Sequence, residues 1–313
     1  MPAALSLLRR PVPPIAALAL GAILACASPV RAEDPDQVFE LADPAGGRIE
    51  AAVWLPDAAT PGAARPLVVV SHGNGGWYGG HHDTAEALAQ AGFIVAALSH
   101  PGDNWRDQSR WNRLTDRPGH LRLLLDHMTQ DWSGPVAVDP GRIGAFGFSA
   151  GGFTVAAAIG GISDPSLIDR HCEAQPGVFV CRLLASDPID AAAWRPRTPD
   201  PRIRAAVLAA PGMGMAFSAE SLATVHVPVQ LWQAAEDEVL PSPFHVEPIR
   251  DGLGGPVEFH RVEGAGHFDF LPPCPPELAS GLPDLCRSRP GFDRAGFHEA
   301  FNAEVVRFFT AAL

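Results

Sequence analysis

Short apolar runs alternate with amphipathic stretches along most of the chain, and the apolar runs carry many β-branched residues. Runs that are apolar at nearly every position are typical of parallel strands covered on both faces. The stretches between them have helical patterns, and such alternation is typical of a sheet wrapped by helices. The predicted strands are 66–72, 92–100, 142–148, 202–210, 228–234 and 256–263, and the predicted helices are 82–91, 117–130, 150–159, 243–252 and 293–309.

Two segments depart from this alternation. Residues 37–57 predict a hairpin with its turn at 45–47, which gives the sheet an antiparallel start. Residues 161–201, rich in Pro and Asp, interrupt the pattern, and we interpret them as an insertion over the site, a lid or specificity loop. The whole pattern predicts an α/β fold in which a mostly parallel central sheet is flanked by helices.

The first 32 residues have a different character. An arginine pair precedes an apolar run at 15–27, and Val30 and Ala32 offer small residues for cleavage after Ala32, so this segment predicts an export signal. The apolar run is too short to span a bilayer as a helix. A lipid anchor at Cys26, in "ILACAS", is the alternative. We therefore expect one mature domain, 33–313, that is periplasmic or secreted and has no integral membrane segment.

Cysteine usage favours the same compartment. Apart from Cys26, the chain has Cys172, Cys181, Cys274 and Cys286, an even number. In an exported protein such a set predicts disulfides, and the nearest pairing joins Cys172 to Cys181 and Cys274 to Cys286, although the two other connectivities stay open. The spacing does not match that of a zinc ribbon.

The charge balance limits the possible partners. The formal net charge is -12, and removal of an arginine-containing leader makes the remainder more negative. Such a surface repels phosphate backbones and anionic lipid, so we expect a small-molecule substrate and no nucleic acid. The composition does not determine the oligomeric state.

The stretch "GAFGFSAGGFTVAAA" places Ser149 between a predicted strand and a predicted helix. Gly147 and Gly151 flank it in a Gly-x-Ser-x-Gly pattern, which is typical of a sharp turn too crowded for larger neighbours. This turn lifts the hydroxyl clear of the sheet and directs the N-terminus of the next helix at the same point. We predict that Ser149 is a nucleophile.

The remaining parts of such a site follow in order. In "VVVSHGNGGWYGG" a glycine-rich loop after an early strand predicts an oxyanion hole formed by the amides of Asn74 and Ala150. His267, in "VEGAGHFDFL", follows the last strand and is the predicted base. Asp237 is the predicted acid, with its neighbour Glu236 as the alternative. A solvated acidic loop is the other interpretation of that segment.

Two further interpretations concern aromatic and histidine side chains. Aromatic residues near the predicted site could line an apolar substrate pocket, or they could belong to the core. His81 and His82 beside Asp83 suggest a metal site, but neighbouring histidines at a helix start point in different directions, and we expect neither a metal nor an organic cofactor. The aromatic candidates are Trp77, Tyr78, Phe148, Phe153, Phe268 and Phe270.

The chain resembles secreted bacterial α/β-hydrolases of the dienelactone hydrolase-like group, which is similar to the platelet-activating-factor acetylhydrolases. The resemblance rests on "PLVVVSHGNGG", "LAQAGFIVAALSHPGDN", "GAFGFSAGG", "AAEDEVLP" and "GAGHFDFLPPC". It implies an α/β-hydrolase fold and an ester hydrolase that uses Ser149, Asp237 and His267. The dienelactone hydrolases themselves have a cysteine nucleophile, so their lactone substrate does not carry over, and Ala234 replaces a glycine common in the acid loop.

The predicted function is therefore hydrolysis of carboxylic esters, with short to medium acyl chains, through an acyl-enzyme. A peptidase or amidase and an acyltransferase would use the same three residues. A non-catalytic binding protein on a hydrolase scaffold is the alternative from another class, and it predicts a missing catalytic residue.

Overall fold

A computed structural model describes residues 34–57, 63–195 and 198–313. Its centre is an eight-stranded sheet with the strand order β1-β2-β4-β3-β5-β6-β7-β8. The first two strands form an antiparallel hairpin, β2 pairs with β4 in antiparallel fashion, and all later neighbours are parallel. The strands are β1 Gln37–Ala42, β2 Arg48–Trp54, β3 Arg65–Ser71, β4 Ile94–Leu98, β5 Val138–Phe148, β6 Ile203–Ala209, β7 Val229–Ala234 and β8 Val257–Val262.

Helices occupy the connections between the strands. Parallel neighbours need such crossover connections, because a short turn cannot return the chain to the start of the sheet. The helices among the described residues are α1 His82–Gln90, α2 Arg117–Asp126, α3 Ala150–Ala158, α4 Pro165–Ala174, α5 Phe179–Ser186, α6 Ala219–Leu222, α7 Val246–Gly252, α8 Pro276–Gly281, α9 Pro283–Cys286 and α10 Arg294–Ala312.

The core lies on both faces of the sheet. Successive side chains of a strand point to opposite faces, so Val69 packs on one side and its neighbours Val68 and Val70 on the other. The first face is covered by α2 and α3, through residues such as Phe153. The second is covered by α1 and α10, through residues such as Phe301. Burial on both faces explains why the inner strands β3 and β4 are mostly apolar, whereas the edge strand β8 is only partly buried and carries Glu258, His260 and Arg261.

The predicted fold class is confirmed, and the six predicted core strands agree with β3 to β8 to within a few residues. The segment 161–201 differs from a plain loop, because it contains α4 and α5. A disulfide between Cys172 and Cys181 joins these two helices. A local core forms around them, since Ile168 and Val180 are buried.

A second disulfide joins Cys274 to Cys286 beyond the last strand. Two such bridges are common in exported proteins. Within the described ranges, every helix is too short or too polar to cross a membrane. The predicted export signal at 1–32, with its alternative anchor at Cys26, lies outside the described residues.

Candidate active site

The strand order creates a crevice at the carboxyl edge of the sheet. From β3 the chain moves to β4 on one side, whereas from β5 it moves through β6 and β7 to β8 on the other. Open α/β sheets bind ligands outside the carboxyl ends of strands at such a reversal. Here the crevice lies between the end of β3, followed by His72, and the end of β5, followed by Ser149.

Ser149 stands on the turn between β5 and α3 in a strained conformation, with φ 54° and ψ -118°. Its neighbours have no room for side chains. A Cβ on Gly147 would lie 2.1 Å from the carbonyl oxygen of Gly151, and a Cβ on Gly151 would lie 1.9 Å from the carbonyl oxygen of Ser71. Non-glycine residues seldom adopt positive φ, and such strain persists only where the surrounding packing enforces it.

His267 joins Ser149 to Asp237 through its two ring nitrogens. Nε2 lies 3.0 Å from the Oγ of Ser149, and Nδ1 lies 2.8 Å from Oδ2 of Asp237. The side chains of His267 and Asp237 are only 3% and 5% exposed, so water competes little for their hydrogen bond. A carboxylate on Nδ1 fixes the tautomer that leaves Nε2 free to accept the proton of a hydroxyl.

The backbone after β7 holds the Asp237 carboxylate in this orientation. Its Oδ1 accepts hydrogen bonds from the amides of Val239, at 3.0 Å, and Leu240, at 2.6 Å. Glu236, the alternative acid, is instead exposed and lies 3.9 Å from a guanidinium nitrogen of Arg289. The structure therefore brings Asp237, not Glu236, to His267.

The glycine-rich loop after β3 reaches the same point. A Cβ built on Gly73 would lie 3.3 Å from the Cβ of Ser149, so the loop touches the turn that carries the serine. Among the described residues, the amide of the next residue, Asn74, donates no main-chain hydrogen bond. Ala150 is the first residue of α3, where amides have no acceptor within the helix. Both predicted donors are thus available at the loop and the helix start.

His72 supports this loop from below. Its Nε2 accepts a hydrogen bond from the amide of His100, and its Nδ1 lies 2.5 Å from the carbonyl oxygen of Gly73. Burial, and then the nearby charge of Arg117, lower the pKa of His72 well below its usual value. The ring is therefore neutral, and it holds the loop in place.

The aromatic candidates separate into two groups. Phe148 is buried, and its ring packs against the imidazole of His267 with the two ring centroids 5.0 Å apart. Phe153 and Phe270 are fully buried in the core, as the alternative interpretation has it. Trp77 is 42% exposed, while Tyr78 and Phe268 are partly exposed. Only this last group has surface available to a ligand.

His81, His82 and Asp83 do not converge on one point. The ring of His81 is buried against Phe146, and burial lowers the pKa of His81 to about 3. Asp83 bonds instead to His298. The arrangement differs from that of a metal site.

A different group of side chains does have the geometry of potential metal ligands among the described residues, namely Glu258, His260 and Glu304. Arg307 donates hydrogen bonds to both carboxylates of this group. Since a guanidinium already pairs with them, the group is accounted for as an ion-pair cluster between β8 and α10.

Sequence reasoning missed two residues beneath the site, Asp103 and Arg117. Both side chains are almost completely buried, at 4% and 2% exposure, and they form an ion pair. Asp103 lies in the quoted stretch "SHPGDN", and Arg117 begins α2, but neither position carries a pattern that indicates burial.

No protein-family model matches the chain, and no curated protein matches it in sequence. Solved structures do match. A ferulic acid esterase from Streptomyces cinnamoneus superposes with a TM-score of 0.59 at 19% identity, over 92% of both chains. An esterase from the planctomycete Thermogutta terrifontis gives a TM-score of 0.53 at 16% identity, over 86% of this chain and 94% of that one.

A puromycin-hydrolyzing peptidase from Mycobacterium tuberculosis gives a TM-score of 0.56 at 18% identity. The match covers 88% of this chain but only 39% of the peptidase. The two esterases and this peptidase share the α/β-hydrolase fold. The similarity establishes that this chain has the same fold.

Proposed function

We propose that the protein is a serine hydrolase that cleaves carboxylic esters through an acyl-enzyme. One observation carries the proposal: Asp237, His267 and Ser149 form a continuous hydrogen-bonded series that ends on a strained turn. In this series His267 contacts the carboxylate that would orient it and the hydroxyl from which it would take a proton. Asp237 orients the ring, His267 accepts the proton, and Ser149 attacks.

The mechanism begins when the Oγ of Ser149 attacks the ester carbonyl carbon while Nε2 of His267 takes the hydroxyl proton. The amides of Asn74 and Ala150 donate hydrogen bonds to the oxygen that becomes negative. Collapse of the tetrahedral intermediate breaks the bond to the alcohol, which leaves with the proton from His267. Water then loses a proton to His267, attacks the acyl carbon and releases the acid, so that Ser149 is regenerated.

The proposed substrates are esters with short to medium acyl chains. Two features of the structural neighbours support this class. The two esterases match over 86% or more of this chain and over nearly all of their own. The Thermogutta esterase has been observed with bound propionate and with bound butyrate, which are short carboxylic acids. Membership of the dienelactone hydrolase-like group, and likeness to the platelet-activating-factor acetylhydrolases, are part of this proposal and rest on the sequence motifs.

A peptidase or amidase is the second candidate, since a peptidase is among the structural neighbours. The same three residues serve both reactions, and the leaving group differs. This chain corresponds to only 39% of that peptidase, whereas it corresponds to 92% and 94% of the two esterases. We therefore favour the ester.

The decisive experiment replaces the nucleophile. Ser149→Ala should lower kcat for p-nitrophenyl butyrate by more than about 1000-fold, because no other group can form the acyl-enzyme. It should also abolish labelling by a fluorophosphonate probe. Parallel assays with p-nitrophenyl esters of increasing chain length and with a peptide anilide would define the substrate class.

The matched control is Ser280→Ala, which removes an exposed hydroxyl on α8. This variant should label and turn over as the unmodified protein does. Ester cleavage that survives in Ser149→Ala would refute the proposal, whereas faster cleavage of the anilide than of the ester would replace esterase by amidase.

The proposal includes a lid role for 161–201 and export of the chain. The insertion packs beside the crevice, since the amide of Asp164 donates to the carbonyl oxygen of Ala216, beyond the carboxyl end of β6. Trp194 of the same segment packs against Phe153 of α3. Export is supported by the two disulfides.

A further inference from the structure

A buried arginine connects the two elements that carry the proposed oxyanion donors. Arg117 lies at the start of α2, and its side chain is 2% exposed. Its three guanidinium nitrogens all donate: Nε to the Oγ1 of Thr154 at 3.0 Å, one terminal nitrogen to Asp103, and the other to the carbonyl oxygen of His72. The planar guanidinium therefore fixes three partners at once.

Two of these contacts determine the position of the donor loop. The carbonyl of His72 directly precedes Gly73 and Asn74, so its bond to Arg117 anchors the start of the loop. Asp103 completes the support, because its Oδ1 accepts from Nδ2 of Asn74 at 2.8 Å and from the amide of Gly75 at 3.0 Å. The side chain of Asn74 is thus bonded to Asp103, and the backbone N–H of Asn74 remains available to the substrate.

The third contact reaches the other donor. Thr154 lies one turn into α3, and its hydroxyl accepts the hydrogen bond from Arg117. The same hydroxyl donates to the carbonyl oxygen of Ala150 at 2.8 Å. Arg117 is therefore linked to Ala150 through a single side chain, just as it is linked to Asn74 through Asp103.

The free-energy cost of burying the Arg117–Asp103 ion pair indicates that the pair serves more than stability. A buried ion pair loses hydration that its mutual attraction often fails to recover, and apolar residues of similar volume are frequently as stable. Burial lowers the pKa of Arg117 from its usual value, although the Asp103 carboxylate opposes that shift. A guanidinium nevertheless keeps its charge, and here it adds hydrogen bonds to both the loop after β3 and α3, two elements that already pack together at Ser149.

We propose that Arg117 is a positioning residue that sets the spacing between the Asn74 and Ala150 amides. This inference rests on the proposed function. The two donors must both lie within about 2.7–3.1 Å of the oxygen that becomes negative, so a small displacement of one element weakens the hole. The effect falls on the tetrahedral state, because the ester carbonyl in the ground state demands less of the donors.

The test compares Arg117→Met and Arg117→Lys with the unmodified protein. We expect kcat for p-nitrophenyl butyrate to fall about 10- to 100-fold in Arg117→Met, with KM changed by less than about 2-fold. Arg117→Lys keeps the charge but lacks the fork, so it should recover part of the loss. An alkyl boronic acid, which forms a tetrahedral adduct with the serine, should bind more weakly by the same factor as kcat falls.

Arg202→Met is the matched control. Arg202 is likewise an arginine in ion pairs, with Asp126 and Asp200, but it precedes β6 and so lies at the amino ends of the parallel strands, whereas Ser149 lies at their carboxyl ends. This variant should lower the urea midpoint while kcat and boronic acid affinity stay unchanged. If both Arg117 variants fold and lose no more kcat than Arg202→Met, the positioning role is refuted.

Asn74→Ala keeps the test decisive if the Arg117 variants fail to fold. Asn74 is exposed, so loss of its bond to Asp103 should leave the fold intact, while its amide becomes free to move. We expect kcat and boronic acid affinity to fall together by several-fold, and no change in either would overturn the inference. Full ester cleavage by Ser149→Ala would instead refute the proposed function, which separates the two failures.

Discussion

On one side of Ser149 the loop that follows β3 is held by Arg117 and Asp103, whereas on the other side the segment that carries His267 is held by His298. We call these the donor side and the base side. On the base side, Nε2 of His298 donates to the carbonyl oxygen of Asp269, two residues after His267, at 2.9 Å. Its Nδ1 lies 2.7 Å from a carboxylate oxygen of Asp83.

The two supports differ in the side chain that makes them, a guanidinium on the donor side and an imidazole on the base side. The guanidinium of the donor side has only donors and stays charged at every pH at which proteins fold. On the base side, the two ring nitrogens of His298 face two oxygen acceptors, a carboxylate oxygen of Asp83 and the carbonyl oxygen of Asp269. The base side therefore includes a carboxylate, that of Asp83, whose pKa differs between the folded and the unfolded protein.

The ionisation of Asp83 makes the contribution of its contact with His298 to stability measurable as a function of pH. Burial raises the pKa of Asp83, but the hydrogen bond and charge of His298 and the hydrogen bond of Asn302 outweigh it and lower the pKa from 3.8 to about 2. A carboxylate with a lowered pKa in the folded state stabilises the protein above its unfolded pKa. That contribution is lost as the pH falls through the folded pKa.

The largest expected difference between the sides comes from Asp237→Asn. The amide cannot hold the Nδ1 hydrogen of His267 as the carboxylate does, so the ring loses the tautomer that accepts the serine proton. We expect kcat for p-nitrophenyl butyrate to fall about 10,000-fold, far more than for any Arg117 variant. In the proposed mechanism the donor side only positions hydrogen bonds, whereas the base side moves the proton.

Stopped assays at high enzyme concentration would measure so low a rate, and circular dichroism would verify the fold. A loss in Asp237→Asn no greater than that in Arg117→Met would end the distinction between the two sides. It would also move the role of the acid away from Asp237.

A smaller effect, on stability alone, is expected from Asp83→Asn. Above pH 4 the variant should be less stable by about 2 kcal/mol, because it loses the stabilisation of the ionised carboxylate by His298. As the pH falls toward 2, the unmodified protein loses that contribution and the difference should shrink, to about half at pH 3. Urea unfolding at pH 6 and at pH 3 provides the measurement.

The control for this prediction is Asp251→Asn, since Asp251 pairs with Arg250 on the surface. An exposed pair contributes little, and its removal should leave the urea midpoint nearly unchanged at both pH values. An Asp83→Asn deficit of the same size at pH 3 as at pH 6 would show that ionisation of Asp83 does not stabilise the base side as described.

Much of the fold is predictable because local patterns determine it. Strands buried on both faces are mostly apolar, so β3, β4 and β6 stand out as apolar runs, whereas the partly buried edge strand β8 is more polar. The turn at Ser149 is equally local, because Gly147 and Gly151 are required by contacts within a few residues or with the neighbouring strand. In the insertion at 161–201, Pro and Asp conceal α4 and α5, since Pro165 and Asp164 begin the first helix and do not disrupt it.

The supports of the two sides are not predictable in the same way. Arg117 bonds to residues 14, 37 and 45 positions away, and a charged residue at a helix start is ordinarily exposed. His298 lies 215 residues from Asp83 on a helix whose pattern indicates only an amphipathic surface. These contacts come from tertiary packing, whereas Ser149 and His267 are identified by their places after strands.

The smallest expected effect, that of Glu236→Gln, tests whether one carboxylate or two orient the ring of His267. Glu236 precedes Asp237 directly, but its side chain is 47% exposed and faces Arg289, which is itself 55% exposed. Solvent screens such a pair, so the urea midpoint of the variant should stay nearly unchanged. Its kcat for p-nitrophenyl butyrate should change by less than about 2-fold. The pH profile of kcat/KM should also coincide with that of the unmodified protein. A loss of kcat above about 10-fold would show that Glu236 shares in orienting His267, and the single hydrogen bond that Asp237 accepts from His267 would then no longer account for the orientation of the ring.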